Sequence, residues 1–139
     1  MASILKVDTI TGVATAGSIA VTGEGNSTTT NLQQGLCKAW VNLDGTGTIA
    51  MRDSFNMSGV TDNGTGDYTY TMTNVMSNAN YSSVAAGGTG TVAGQYARQG
   101  PGTQYAQVTT SSWTAECGSN TYAVGDWDIV CWGILGDLA

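Results

Sequence analysis

The chain has 139 residues, of which only 10% are charged, against about 25% in an ordinary soluble domain. Its formal net charge of −6 and pI near 4.1 argue against a nucleic-acid-binding surface and against attraction to an anionic membrane. The chain has no histidine, which removes a Ser-His-Asp arrangement and the commonest zinc ligand. So few charges on one 139-residue chain predict a surface that is partly buried against identical copies.

Residues 1–35 are predicted to form an N-terminal arm and linker. Apolar side chains recur there every three residues, at Ile4, Val7, Ile10, Val13, Ala16 and Ile19. This period fits neither a strand nor a helix. It indicates either one apolar edge on an extended chain or a coincidence within two short strands. In both cases the arm cannot bury its apolar edge alone, so we expect it to contact other subunits or the rest of a larger particle.

The sequence predicts neither a secretory signal in the arm nor a membrane-spanning segment in the chain. Lys6 and Asp8 interrupt it, so it lacks the apolar core of a secretory signal. No run in the chain approaches the ~20 apolar residues of a membrane span. We therefore predict synthesis in a cytoplasm and no membrane insertion.

The β domain is predicted to span residues 36–139, and it begins with three strands at 38–43, 48–55 and 67–72. The stretches LDGTGT and TDNGTGD separate them, and their Asp-Gly and Asn-Gly pairs favour tight hairpins. We interpret the three strands as an antiparallel meander. Alternation places Ala39, Val41 and Leu43 on one face. In the second strand Asp53 falls on the apolar face with Ile49, Met51 and Phe55, which predicts a bulge near Arg52–Asp53.

Further short strands are predicted at 81–85, 92–97 and 105–113. The segment 126–135 is apolar on both faces, which is typical of a central strand or of one at a subunit interface. About seven or eight short strands with regularly spaced turns predict an all-β fold, an antiparallel β-sandwich of the jelly-roll-like type.

Three motifs could bind a ligand or form a catalytic carboxylate pair, and each also has a purely structural interpretation. The oxygens of Asp62–Asp67, DNGTGD, could hold calcium, or the segment is an Asn-Gly hairpin turn. Residues 87–94, GGTGTVAG, resemble a phosphate-binding loop, but no lysine or helix follows, so we favour a surface loop. Asp126 and Asp128 could form a carboxylate pair without further support. We predict a non-enzymatic protein without cofactor or metal.

We predict that the isolated charged residues form pairs and that the cysteines contribute to packing. Arg52 and Asp53 are adjacent in a strand and point to opposite faces, so we expect one of them, and likewise Lys38, to pair across strands or subunits. The widely spaced Cys37, Cys117 and Cys131 are interpreted as small buried hydrophobic residues. The alternatives are one disulfide with a spare thiol, or metal ligation.

Aromatic residues concentrate in the last third of the chain. Trp127 and Trp132 are predicted to be buried because they lie in the apolar segment. Aromatic rings beside amide side chains can also bind sugars by stacking and hydrogen bonding. Residues beside the Gly/Pro loop are therefore candidate receptor contacts: Tyr96, Gln99, Gln104 and Tyr105.

Residues 38–73 closely resemble a module found in bacteriophage tail-fibre and related virion proteins, especially of marine phages. The matching elements are K-A-W-V-N-L-D-G-T-G-T, then M-R-D-S-F-N, then S-G-V-T-D-N-G-T-G-D-Y-T. Residues 78–81 and 130–138 are similar more weakly, and residues 1–35 resemble the leaders of such proteins only loosely. The resemblance implies a homotrimer and a structural role in a virion assembled in the host cytoplasm.

Two virion roles are compatible with the resemblance. In a tail-fibre-type protein the arm anchors the trimer to the tail and the β domain contacts the host surface, including a surface glycan. In a capsid decoration protein, a cement or head-fibre protein, the arm binds the major capsid protein and stabilises the head. The resemblance favours the fibre, whereas the small size and the missing shaft favour decoration.

Overall fold

The computed structural model describes residues 5–12, 19–23, 28–88, 95–99, 108–119 and 124–139, with backbone alone for residues 95–99 and Ser119. The chain divides into two units, Met1–Gly35 and Leu36–Ala139.

The first unit contains little regular structure. Strands β1 (Ala20–Thr22) and β2 (Thr29–Asn31) form a short antiparallel pair, and the one-turn helix α1 (Leu32–Gly35) follows directly. Every described residue of this unit is exposed or half-buried. The described part of the arm therefore has no hydrophobic core of its own. No helix in the described part of the chain has the length and apolarity that crossing a bilayer requires.

The second unit consists of two four-stranded antiparallel sheets. The first sheet, in spatial order, contains β4 (Ala50–Phe55), β3 (Cys37–Asp44), β10 (Ile129–Leu135) and β7 (Ser82–Gly88). The second sheet contains β5 (Met57–Gly64), β6 (Asp67–Met72), β9 (Ser112–Ser119) and β8 (Gln95–Gln99). The prediction of an all-β fold with antiparallel sheets is confirmed.

One hydrophobic core is shared by the inner faces of both sheets. The first sheet contributes alternate residues such as Val41 on β3 and Trp132 on β10, and the second contributes Tyr68, Tyr70 and Trp113. The Tyr70 ring stacks on Trp113 with a centroid separation of 5.0 Å and lies 6.4 Å from Trp132. Period-two alternation produces this core because successive strand residues point to opposite faces. The predicted burial of Trp127 and Trp132 is confirmed, each being 3% exposed.

The predicted three-stranded meander is wrong, because a fourth strand, β5, lies within it and the chain changes sheet at Asn56. The backbone of Asn56 is left-handed, with φ of 58°. The side-chain Nδ2 of Asn56 donates to the backbone carbonyls of Lys38 at 2.9 Å and Asn74 at 3.0 Å. The side-chain Oδ1 accepts from the Asn74 backbone N–H at 2.7 Å. Asn tolerates this conformation better than most residues. Asn56 is therefore the corner between the two sheets.

The predicted bulge is present in β4 and reverses one assignment. Leu43 of β3 pairs with Met51 and Asn42 pairs with Asp53, so Arg52 is the extra residue. Beyond the bulge the alternation of β4 is inverted. Phe55, predicted to share the apolar face with Met51, instead points outward and is 53% exposed.

The later strands agree with the sequence to different degrees. β10 is a central strand, as its apolar character on both faces predicted, with β3 and β7 as neighbours. β7 extends through Gly88 into the segment predicted to be a glycine-rich loop. β9 spans Ser112–Ser119, so it overlaps the strand predicted over 105–113 only at its last two residues. Trp113, which pairs with Tyr70, is the first core residue of β9.

Candidate functional site

The outer face of the first sheet carries a strip of apolar residues that no described residue of the second unit covers. Register places Phe55, Trp40, Gly133 and Val84 in one row across the four strands. Phe55, Trp40 and Val84 are 53%, 36% and 56% exposed, and Ile129 at the start of β10 is 46% exposed. We call this row with its neighbours Cys131, Ala86 and Ile129 the apolar strip.

A groove of about 440 Å³ runs along the apolar strip. Its walls are Trp40 and Val84, and its floor is Gly133, Cys131 and Ala86. The absence of a side chain at Gly133 creates the groove, because a Cβ there would lie 3.1 Å from Cγ2 of Val84. The groove offers an apolar ligand an aromatic wall and no charged group.

Two groups of charge lie next to the strip: the Arg52–Asp44 ion pair at its border and the exposed Asp53, which shares an outer-face row with Asn42 and Cys131. Arg52 donates to Asp44 Oδ2 at 2.7 Å and to the Asp128 carbonyl oxygen. This ion pair between β3 and β4 confirms the predicted cross-strand pairing of Arg52. Hydrogen bonds from the Thr46 side chain and backbone, followed by the charge of Arg52, lower the pKa of Asp44. Asp53 accepts from the Ser54 N–H at 2.8 Å.

The outer face of the second sheet has the opposite chemistry. Thr69 pairs with Thr114 and Thr71 with Ser112, and the hydroxyls of Thr69 and Thr114 lie 3.0 Å apart. Asp67 pairs with Glu116 in the next row. The hydroxyl-bearing residues of this face are half-buried, and Glu116, whose register partner in β8 is Arg98, is 9% exposed.

The Asp126 carboxylate joins Tyr68 and the hairpin residue Gly66, and the Tyr68 hydroxyl also reaches the hairpin residue Gly45. Tyr68 donates to Asp126 Oδ1 at 2.9 Å and lies 3.0 Å from the carbonyl oxygen of Gly45, and the Gly66 N–H donates to the same carboxylate oxygen at 2.7 Å. Gly66 has φ of 69°, and a Cβ there would lie 2.8 Å from two carbonyl oxygens. Burial, then the Asp126 hydrogen bond, raise the pKa of Tyr68. The arrangement is structural.

The other candidate chemical motifs also have structural contacts. Asp62 Oδ1 accepts from the Gly64 N–H at 2.9 Å, which is an Asx-turn within the hairpin. Asp126 and Asp128 do not act as a pair on one strand, because both precede β10 and Asp126 is engaged by Tyr68 and Gly66. Within the described ranges no cluster of three or more metal-ligating side chains occurs.

The three cysteines occupy different environments. All are free thiols, with Cys117 buried, Cys131 half-buried in the groove floor and Cys37 exposed. Burial raises the pKa of Cys117 to about 12, with smaller contributions from Asp126 and Glu116. The interpretation as buried hydrophobic residues fits Cys117 and is wrong for Cys37, which lies at the start of β3.

The candidate receptor contacts lie largely outside the structure. Gln104 and Tyr105 are not among the described residues, and Tyr96 and Gln99 belong to β8, where the backbone alone is described. Of the arm residues, Ile4 and Val13 also lie outside the described residues. Val7 and Ile10 are exposed, and Ile19 is half-buried. Local sequence patterns did not predict the apolar strip, although the apolar character of both faces of 126–135 indicated its central strand.

No family model, no curated protein and no solved structure matches this chain. The function is therefore inferred from the site itself and from the resemblance of residues 38–73.

Proposed function

We propose that the chain is a non-enzymatic structural protein of a tailed-bacteriophage virion, a tail-fibre-type homotrimer. The observation that carries this proposal is the apolar strip on the outer face of the first sheet. Exposing a Phe, a Trp, a Val and an Ile together has an unfavourable free energy that a covering subunit removes. A protein that functions by self-assembly requires such a face, and a virion is built from assembled copies.

The two units divide this role between them. The arm, whose described residues form no core, binds other virion proteins. The second unit, an antiparallel sandwich of jelly-roll-like type, is the distal domain. The segment around Tyr96 and Gln99 through Tyr105 is the proposed contact with a host surface glycan. The virion partner of the arm is a tail protein or the major capsid protein.

A capsid decoration role is the second candidate, favoured by the form of the described chain. An arm followed by one β unit matches a protein that grips a capsid with its arm and projects its β domain. In that case the same apolar strip joins copies on the head rather than at the tail.

Sedimentation equilibrium of the full chain and antibody labelling of virions test the proposal. We expect a mass three times the 14.2 kDa of one chain at micromolar concentration. Gold-labelled antibody at the tail supports the fibre, and label spread over the head supports decoration. A monomer at these concentrations, together with virions that bind no antibody, would overturn the proposal.

A further inference from the structure

We propose that Asn63 is a site of spontaneous covalent modification, at which the backbone nitrogen of Gly64 attacks the Asn63 side chain and expels ammonia. This inference is independent of the proposed virion role. It requires an amide carbon within reach of the next backbone nitrogen, room for a five-membered ring, and polar groups that accept and supply protons.

Two positions in the sequence place Asp or Asn directly before glycine: Asp44 before Gly45, and Asn63 before Gly64. The glycine matters because a side chain on the attacking residue obstructs ring closure, and because glycine adopts backbone conformations that other residues avoid. Of these two pairs, the one at Asn63 carries the side-chain amide whose nitrogen can leave as ammonia. The structure then determines whether the folded chain permits the reaction.

Asn63 lies near the end of β5, where pairing with β6 is interrupted. Asp62 lies opposite Tyr68 and Gly64 lies opposite Asp67, so Asn63 is the extra residue of a bulge. Asn63 and Gly64 are both exposed. Gly64 has φ of 139°, and a Cβ built there would have no heavy atom within 4 Å. The chain therefore has the space at this point in which a five-membered ring can close.

Hydrogen bonds place polar groups on both reacting nitrogens. The Gly64 N–H donates to Asp62 Oδ1 at 2.9 Å, so a proton acceptor contacts the nitrogen that attacks. Asn63 Nδ2, the nitrogen that leaves, donates to Thr69 Oγ1 at 2.8 Å and to Asp67 Oδ1 at 3.4 Å. A carboxylate at the nucleophile and a hydroxyl at the leaving group are the partners that general base and general acid catalysis require.

The reaction balances with water as the sole co-reactant. The bond from the Gly64 nitrogen to Asn63 Cγ forms while that nitrogen gives its proton to Asp62. The Cγ–Nδ2 bond breaks, and Nδ2 leaves as ammonia with a proton from Thr69, which regains a proton from Asp62 through solvent. Water then opens the five-membered succinimide at either carbonyl, which leaves aspartate or isoaspartate at position 63.

The pair at Asp44 provides the contrast within the same molecule. The Gly45 N–H donates to the Trp127 carbonyl oxygen at 2.8 Å, and a Cβ on Gly45 would collide with the Tyr68 hydroxyl. Asp44 Oδ1 accepts from the N–H and the hydroxyl of Thr46. The attacking nitrogen is thus tied to a carbonyl and its surroundings are filled, so the fold protects this pair.

Modification changes the hairpin between β5 and β6. Loss of Nδ2 removes the hydrogen bonds to Thr69 and Asp67, and a new carboxylate stands close to Asp62 and Asp67. Isoaspartate also adds a carbon atom to the backbone beside the bulge. We therefore expect the modified chain to be less stable than the fresh one.

Mass spectrometry of the folded full chain, incubated in mildly alkaline buffer, tests the inference. The matched control is Asp44→Asn, which creates a second Asn-Gly pair at the protected position. Tryptic cleavage after Lys38, Arg52 and Arg98 places positions 44 and 63 on separate peptides, and deamidation adds about one dalton to either. Electron-transfer fragmentation distinguishes aspartate from isoaspartate.

In the folded Asp44→Asn chain, position 63 should convert at least about tenfold faster than position 44, because position 44 reacts only when its hydrogen bonds open. In denaturant the two positions should convert at similar rates. Similar rates in a chain that circular dichroism shows to be folded overturn the inference. So does a folded parent chain in which Asn63 stays intact while the denatured chain converts.

Two further substitutions test the proton acceptor. Asp62→Asn keeps an oxygen that accepts from the Gly64 N–H and removes the carboxylate, so conversion at position 63 should slow by about tenfold or more. Asp67→Asn removes the same charge from the same hairpin without touching the attacking nitrogen, and it should change the rate by less than about twofold. Equal effects of the two substitutions would contradict the role of Asp62.

Discussion

The outer faces of the two sheets have the same antiparallel framework and opposite chemistry. In the first sheet Phe55, Trp40 and Val84 form an uncharged row, whereas in the second Thr69, Thr114 and their neighbours present hydroxyls and carboxylates. The inner faces are alike, since both contribute to one core. Among the described residues, folding of one chain buries the apolar inner faces of both sheets and leaves an exposed apolar row on the outer face of the first sheet.

The largest expected effect tests whether the two sheets depend on one core. Trp113→Ala removes a fully buried side chain that stacks on Tyr70, and it should lower the free energy of unfolding by about 3–5 kcal/mol. Guanidinium titration followed by circular dichroism measures this. Trp40→Ala, on the outer face, should cost much less in a dilute monomer while weakening association. If both substitutions lowered the free energy of unfolding equally, Trp113 would not contribute more than Trp40 to the stability of one chain.

The corner between the two sheets gives the next largest effect. Asn56→Ala loses three side-chain hydrogen bonds and retains a left-handed backbone, so we expect a loss of about 2–4 kcal/mol in unfolding free energy. Asn56→Gly loses the same bonds without the backbone strain and should be about 1 kcal/mol less destabilised. Thermal unfolding of the two variants separates the contributions. If alanine and glycine behave identically, the backbone conformation at residue 56 is not strained.

Alkaline pH tests the shared core through its buried hydroxyl and thiol groups. Burial raises the pKa of Tyr81 and of Cys117 to about 12 each, and it also raises the pKa values of Tyr68 and Tyr70. In the unfolded chain these groups titrate near 9.0 for cysteine and 10.0 for tyrosine. The folded state therefore binds more protons than the unfolded chain above pH 9, and the contribution of these groups to stability, constant at lower pH, falls toward pH 12.

The expected loss is about 2 kcal/mol between pH 8 and pH 10, since each pKa unit corresponds to about 1.4 kcal/mol. Denaturant titrations at several pH values measure it, and tyrosine absorbance at 295 nm reports ionisation directly. Tyr81→Phe should make the decline shallower above pH 10. A stability independent of pH from 8 to 11 would mean that these groups are not protected by the fold.

The smallest effect concerns the polar outer face itself. Replacing Thr69 and Thr114 together with valine keeps the β-branched shape and removes the 3.0 Å hydroxyl contact, so the unfolding free energy should change by less than about 1 kcal/mol. The same double variant adds an apolar pair to the second sheet and should increase concentration-dependent self-association in sedimentation velocity. Unchanged association would show that an apolar outer face alone does not recruit a partner.

The sequence predicted local features well where period-two alternation was regular. Ala39, Val41 and Leu43 were assigned correctly to one face, which is buried, and the bulge in β4 was located from the single mismatch at Asp53. Strand β5 was missed because Gly59 and the polar residues after it do not alternate. The bulge's consequence for Phe55 was missed because it depends on which residue of β4 is left unpaired.

The apolar strip could not be read from the chain, because its rows join strands far apart in sequence. Trp40, Val84 and Gly133 become neighbours only when β10 enters between β3 and β7. The role of Asp126 has the same origin, since its partners Tyr68 and Gly66 lie 58 and 60 residues away. The turn glycines were recognised from their motifs, but the hydrogen bond from Gly66 to Asp126 was not.

The sequence by itself determined that the chain is all-β and which residues of most strands point inward, because alternation and turn chemistry are local properties. Only the tertiary structure decided which outer face is apolar. Burial of one strand face is encoded residue by residue, whereas a surface strip is made by the lateral order of strands. That order is fixed by hydrogen-bonded pairing of strands that lie more than 90 residues apart in the sequence, such as β10 and β3, in which Gly133 lies opposite Trp40.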